Sequence, residues 1–212
     1  MLNEKEMNNI KALFFDFDGT LVDSLPVLKK VYLSFLEKMG YQGSEEEFQH
    51  LNGPNINQII DYLKKKYRLT DSPESIKEMF HQLFKGIYSR QVHFFPGATD
   101  FLAWAKKKRF RLFIVTSAEP IMVSLVLEKK QVQSLFEAII SSKDSSNGKP
   151  HPEVYLRALN QADVNPEEVL AFEDSMNGLL SARGAGIQTV EFGKDFADWH
   201  EILNEFRRLV HE

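Results

Sequence analysis

Cysteine is absent from all 212 residues, which rules out disulfide scaffolds and thiolate-bound metal sites. No strong charge of either sign is present: 26 basic against 30 acidic side chains leave a formal net charge of -4, with no drive toward nucleic acid or an anionic membrane. Nor does any apolar run approach the ~20 residues that a membrane-spanning helix needs. Met1 to Asn9 is polar and lacks the apolar stretch of a signal peptide, so a soluble cytoplasmic protein is expected. A Walker loop is missing as well, since Gly-x-x-x-x-Gly-Lys-Ser/Thr occurs nowhere, and there is no internal repeat or low-complexity segment. What remains is a chain with 43% hydrophobic residues, enough to bury a full core as one domain or as one domain carrying an insertion.

The chain is organised around Ala12 to Ser24, where an apolar run ends abruptly in Asp16-Phe17-Asp18-Gly19-Thr20. The run reads as a strand buried on both faces, as in a parallel sheet. Asp16 and Asp18, two residues apart at its carboxyl end, can both point into the crevice where open α/β sheets bind ligands, and Gly19 permits the turn that opens it. Buried carboxylates are costly unless they serve something. A hard cation such as Mg²⁺ takes such oxygens, one carboxylate can attack as a nucleophile, and the second can move a proton. A calcium loop of the EF-hand type does not fit, because its sixth and twelfth positions would be Leu21 and Val27.

Beyond Ser24 the period changes. Leu25, Leu28, Tyr32, Phe35 and Met39 recur at helical spacing up to Gly40, Ser44 and Glu47 form a capping-box pattern, and Ile56 to Tyr67 and Ser72-Pro73 to Tyr88 predict further helices. From Phe94-Phe95-Pro96-Gly97 onward, helices and strands alternate. The strands are Phe110 to Val115, Ala138 to Ser141, Val169 to Phe172 and Ile187 to Phe192, and Asp198 to Val210 closes with a helix. Alternating βα units predict a doubly wound parallel sheet, interrupted after its first strand by a helical block. The expected division is residues 1–23 and 94–212 for the α/β core and 24–93 for the insertion. Lys64-Lys65-Lys66 and Lys106-Lys107-Lys108-Arg109 fall at predicted helix ends, where cations suit the helix dipole, so neither is read as a polyanion site.

Polar clusters also fall at the ends of later strands. Leu112 to Val115 runs into Thr116-Ser117, a hydroxyl and fresh backbone N–H groups that suit a phosphate oxygen. Ser145 to Glu153 presents Lys149 between a glycine and a proline, where an ammonium could neutralise a transferring phosphoryl group. Val169 to Phe172 delivers Glu173-Asp174, so Asp16, Asp18, Glu173 and Asp174 would gather three or four carboxylates on one rim, an arrangement that needs a cation. Each cluster alone is explained by ordinary turn chemistry; their recurrence at successive strand ends is not.

Asp-Phe-Asp-Gly-Thr-Leu-Val-Asp-Ser, Thr116, Gly-Lys-Pro-His-Pro-Glu and Phe-Glu-Asp-Ser-Met-Asn-Gly-Leu, in that order, resemble the motifs of the haloacid dehalogenase-like hydrolase superfamily. The resemblance covers nearly the whole chain and implies a Rossmann-like core with an inserted helical cap that closes over the site and reads the substrate. It implies that Asp16 is the nucleophile, Asp18 the general acid/base and Lys149 a stabiliser of nucleophile and phosphate. Thr116 and the Ser117 amide would bind phosphate. Asp16, the Asp18 carbonyl and Asp174 would ligate Mg²⁺, with Glu173 assisting. The implied activity is a Mg²⁺-dependent phosphatase of a small phosphorylated metabolite, such as a sugar phosphate or a phosphoglycolate-like acid, expected as a monomer with a dimer as alternative. A phosphomutase resembling β-phosphoglucomutase is the alternative function; the histidine and arginine expected of it are missing from Leu25 to Lys30 and Leu51 to Asn57. A phospho-accepting receiver domain is the remote one, with a different motif order and no insertion. Asn52 and Asn55 lie in the turn where relatives approach the substrate, a position that helix capping explains equally well.

Overall fold

The apolar runs that end in acids or hydroxyls are the strands of one sheet, and the computed structural model describes them among residues 4–51 and 56–212. Helix α1 (Glu4–Met7) precedes β1 (Ala12–Phe15), and β2 (Val22–Asp23) leads into α2 (Leu25–Lys38), α3 (Glu45–Leu51), α4 (Ile56–Tyr67) and α5 (Pro73–Gln91). There follow β3 (His93–Phe94), α6 (Ala98–Lys107), β4 (Arg111–Thr116), α7 (Pro120–Lys129) and β5 (Ala138–Ser141). The chain ends through α8 (Glu153–Ala162), β6 (Val169–Glu173), α9 (Met176–Gly184), β7 (Gln188–Glu191) and α10 (Trp199–Leu209).

Strand order in the five-stranded sheet is β5-β4-β1-β6-β7, every pair parallel. The chain runs outward from β1 through β4 to β5, then returns to the other side for β6 and β7. The topological switch point of this doubly wound sheet therefore lies beside β1, where a ligand crevice is expected. The two faces of β1 are easily told apart. Phe14 joins Phe113, Val154, Tyr155, Ala158, Ala171 and Ala182 in a core covered by α8 and α9. Phe15 points the other way, stacked on Phe172 with ring centroids 5.1 Å apart and 5.8 Å from Trp199, where Phe101 of α6 and Phe206 of α10 complete an aromatic layer. Truncating such a ring leaves a cavity that costs roughly 3–5 kcal/mol, so the strand that leads into Asp16 is held from both sides.

Contacts divide the chain into two compact units, Met1–Asp23 with His93–Glu212, and Ser24–Val92. The second is an all-helical insertion with its own core of Tyr32, Phe35, Leu36, Leu51, Ile60, Leu63, Leu69 and Ile76. His93 belongs to the first unit, because Asp23 pairs with His93 and Val22 with Phe94 in a short antiparallel ribbon. Two residues per strand are too few to show a period, which is why the sequence carries no sign of it. The Ser44–Glu47 pattern is also put to a different use. Ser44 Oγ does accept from Glu47 N at 3.1 Å, but the Glu47 carboxylate goes to Tyr32, Tyr67 (2.6 Å) and Lys66 (2.7 Å).

Candidate active site

The site starts with the register of the central strands. Phe15 lies opposite Phe172, and Asp16 N donates to Phe172 O at 3.0 Å, so Asp16 stays in the same row as Glu173 at the carboxyl edge. The backbone then folds back on itself, Leu21 N and Val22 N both donating to Phe17 O at 3.0 Å and Gly19 N to Val22 O at 2.9 Å. Gly19 is required twice over. Its φ of +88° lies in the region that side chains avoid, and a Cβ there would sit 2.1 Å from Asp174 Oδ2. Trp199, the buried first residue of α10, donates its indole N–H to Thr20 O at 2.9 Å, and Thr20 Oγ1 donates to Asp174 Oδ1 at 3.2 Å, tying the turn after β1 to the turn after β6.

Carboxylate oxygens of Asp16, Glu173 and Asp174 lie within 4.8 Å of one another. Lys149 reaches into this group with a side chain only 5% exposed. Its ammonium donates to Asp16 Oδ1 at 2.6 Å, Glu173 Oε1 at 2.6 Å and Val115 O at 2.9 Å. The loop that carries it is firmly tied down. Glu153 accepts from Ser146 N at 2.8 Å and Asn147 N at 2.9 Å, and Ser181 Oγ donates to His151 O at 2.6 Å.

Three carboxylates against one ammonium make an acidic surplus in a nearly dry place. Burial alone would lower the Lys149 pKa, but Asp16 and Glu173 overcome it and hold the ammonium well above its ordinary range. Burial pushes the Glu173 carboxyl up, Lys149 pulls it down, and the neighbouring Asp16 charge helps to leave it raised. Asp174 is exposed as a residue, yet its carboxyl is turned in against Gly19 and Thr20; burial there and the Asp16 charge push it to about 6. One cation is too few for these anions, and Glu173 Oε2 is buried with no hydrogen-bond partner among the described residues. Oxygen-only donors, an uncompensated negative charge and an orphaned buried carboxylate oxygen together fit a hard divalent cation.

Other expected residues occupy less central places. Asp18 follows Asp16 in the turn, half-buried, its carboxylate outside the three-oxygen group. Thr116 is buried at the carboxyl end of β4, the neighbour of β1, with Oγ1 accepting from Ala118 N at 3.0 Å. Ser117 beside it is exposed. Asn52 and Asn55 lie outside the described residues. Thr20 and Tyr155 were not expected here. Tyr155 donates to Glu173 Oε1 at 2.6 Å, and Lys149 Nζ sits 5.3 Å from its ring centroid. The sequence signal was a hydroxyl in the buried stripe Val154, Tyr155, Ala158, Leu159, Ala162, which requires a polar partner.

The family model for haloacid dehalogenase-like hydrolases matches residues 13–192, and the chain belongs to that family. It is 30% identical over 181 residues to a phosphorylated carbohydrates phosphatase of Thermotoga maritima, covering 85% of this chain and 84% of the relative. A phosphoglycolate phosphatase of Nitrosococcus oceani is 28% identical, with 90% of this chain and 84% of the relative covered. Among solved structures, CbbY from Rhodobacter sphaeroides in complex with phosphate superimposes with a TM-score of 0.76 at 25% identity, covering 86% of each chain. These relatives place the chain in the phosphatase and phosphomutase branch of the family, as a phosphoric monoester hydrolase.

Proposed function

We propose that the protein is a Mg²⁺-dependent phosphatase of a small phosphorylated metabolite, a sugar phosphate or a phosphoglycolate-like acid, acting through an aspartyl-phosphate on Asp16. The observation that carries this reading is the Lys149 ammonium held between Asp16 and Glu173, 2.6 Å from each, inside an acidic cluster at the sheet's switch point. An Asp16 oxygen attacks phosphorus, and the ester P–O bond breaks as the Asp18 carboxyl gives its proton to the leaving oxygen. Asp18, now a carboxylate, takes a proton from the water that attacks the aspartyl-phosphate. The bond between phosphorus and the Asp16 oxygen breaks, releasing inorganic phosphate and restoring the carboxylate. Thr116, the Ser117 amide and Lys149 hold the phosphoryl oxygens. Asp16, the Asp18 carbonyl, Asp174 and Glu173 would hold Mg²⁺, which supplies the positive charge that lets an anionic nucleophile meet an anionic ester.

A screen of phosphorylated sugars and short acids with Mg²⁺, with Asp16→Asn as control, tests the reading. Release of phosphate by wild type alone is expected; equal release by Asp16→Asn would refute it. Running each sugar phosphate beside an assay for transfer between sugar positions separates hydrolysis from the mutase alternative.

A further inference from the structure

We propose that Tyr155 is a positioning residue for Lys149, acting through Glu173: its phenol holds the Glu173 carboxylate so that the lysine can leave it for a phosphate oxygen. The inference rests on the phosphate-binding role given to Lys149 above. A lysine has three N–H donors, and here all of them are engaged, on Asp16 Oδ1, Glu173 Oε1 and Val115 O. An incoming phosphoryl oxygen therefore has no free donor to meet; one of the three bonds must be given up.

Val115 O is a buried strand carbonyl, and Asp16 is the atom that must stay beside the lysine while it attacks. Glu173 is left as the partner to release. It is fully buried, its Oε2 has no partner, and Oε1 accepts from only Lys149 and Tyr155 among the described residues. Without the phenol, freeing the lysine would leave the buried Glu173 Oε1 with no hydrogen-bond donor, a costly state whether or not a cation sits on Oε2. With it, Tyr155 keeps a 2.6 Å bond to the same oxygen. The ring is fixed for the task. Tyr155 is fully buried in α8 among Phe14, Val154 and Ala158, and its face lies 5.3 Å from the ammonium it helps to release.

The test is the affinity for inorganic phosphate, by titration calorimetry with Mg²⁺ present, and the split between KM and kcat. Tyr155→Phe should weaken phosphate binding on the order of tenfold, the scale of one hydrogen bond to a charged group. Its KM should rise by a similar factor and its kcat change less. In a Glu173→Gln background, where residue 173 carries no charge for the phenol to hold, the same Tyr155→Phe change should alter affinity by under about twofold. A packing role for the ring would carry through both backgrounds alike. Unchanged phosphate affinity in Tyr155→Phe, or a loss of equal size with and without the Glu173 charge, overturns the proposal. Lys149→Met separates the two readings. If it binds phosphate like wild type, the role given to Lys149 falls; if it loses phosphate while Tyr155→Phe does not, only the role of Tyr155 falls.

Discussion

Two buried carboxylate clusters, one in each unit, are built on opposite principles. In the helical unit a single buried carboxylate, Glu47, takes the Tyr32 and Tyr67 hydroxyls on Oε2 and is balanced by the Lys66 ammonium, an ion pair 2.7 Å from Oε1 that lies outside hydrogen-bond geometry. In the α/β unit three carboxylates share one ammonium, and Glu173 Oε2 has no partner among the described residues. The first cluster is balanced in charge within the chain, one ammonium to one carboxylate, and joins α2, α3 and the end of α4. The second is left negative, and residues that would be better neutralised for stability alone are retained at the switch point of the sheet. A polar cluster that is short of positive charge fits the cation and phosphate proposed there, whereas a charge-balanced one fits a structural role.

Substituting the two clusters should therefore separate activity from stability. The largest effect is expected for Asp16→Asn, which removes the proposed nucleophile and should lower turnover of p-nitrophenyl phosphate by a factor on the order of 10³ or more. It also relieves the acidic surplus, so its thermal midpoint should equal or exceed that of wild type. A large fall in the midpoint would show that the site's charges stabilise the fold, and would break the comparison. Excess chelator should bring activity to background. Returning Mg²⁺ at about 100 times its dissociation constant should add about 2.7 kcal/mol of stability. The same addition should leave Asp174→Asn nearly unmoved, as read from paired melting curves.

Much of the second cluster was legible in the sequence because its parts are local. Asp16 to Thr20, Thr116 and Glu173-Asp174 each close a short apolar run, Lys149 stands between a glycine and a proline in the loop before α8, and parallel strands bring their carboxyl ends to one edge. Links made across the chain were not legible. Trp199 and Thr20 are 179 residues apart, and Tyr155 looked like one more member of an apolar helix stripe. Glu47 was seen only as a cap of α3, since nothing local announces that Tyr32 and Tyr67 converge on it. Periodicity reports which face of an element is buried, not which polar atom on another element it meets there.

Breaking the charge-balanced cluster should act on stability and on one unit. Glu47→Ala leaves the Tyr32 and Tyr67 hydroxyls without their shared acceptor and should cost about 1–3 kcal/mol, as for other buried groups deprived of a partner. Both tryptophans, Trp104 and Trp199, lie in the α/β unit. Tryptophan fluorescence therefore follows that unit, while far-UV circular dichroism follows the helices of both. The substitution should move the dichroism transition to lower denaturant and leave the fluorescence transition in place; coincident shifts would mean that the helical unit does not unfold by itself.

The smallest effect is a dependence on pH that belongs to Glu47. Burial works to raise its pKa, but the donors Lys66, Tyr32 and Tyr67 outweigh burial and hold the carboxyl below its ordinary value of 4.5. A group whose folded-state pKa is depressed contributes stability that is present above the unfolded value and is lost as pH falls through the folded one. Tyr32 behaves in the opposite sense. Burial first, and the Glu47 charge after it, raise its phenol above the ordinary 10.0, so the stability tied to its proton is present below that value and lost on the alkaline side. The cluster should thus stabilise the helical unit between about pH 5 and about pH 10 and weaken outside that window. Glu47→Gln removes the acid-side contribution while keeping an acceptor for the tyrosines. Denaturation curves from about pH 6 to about pH 3 should show wild type losing its advantage over Glu47→Gln as the carboxylate is protonated. An advantage that stays constant over that range would mean that the ion pair with Lys66 adds nothing beyond the neutral hydrogen bonds, and that the charge-balanced cluster works by shape and donors alone.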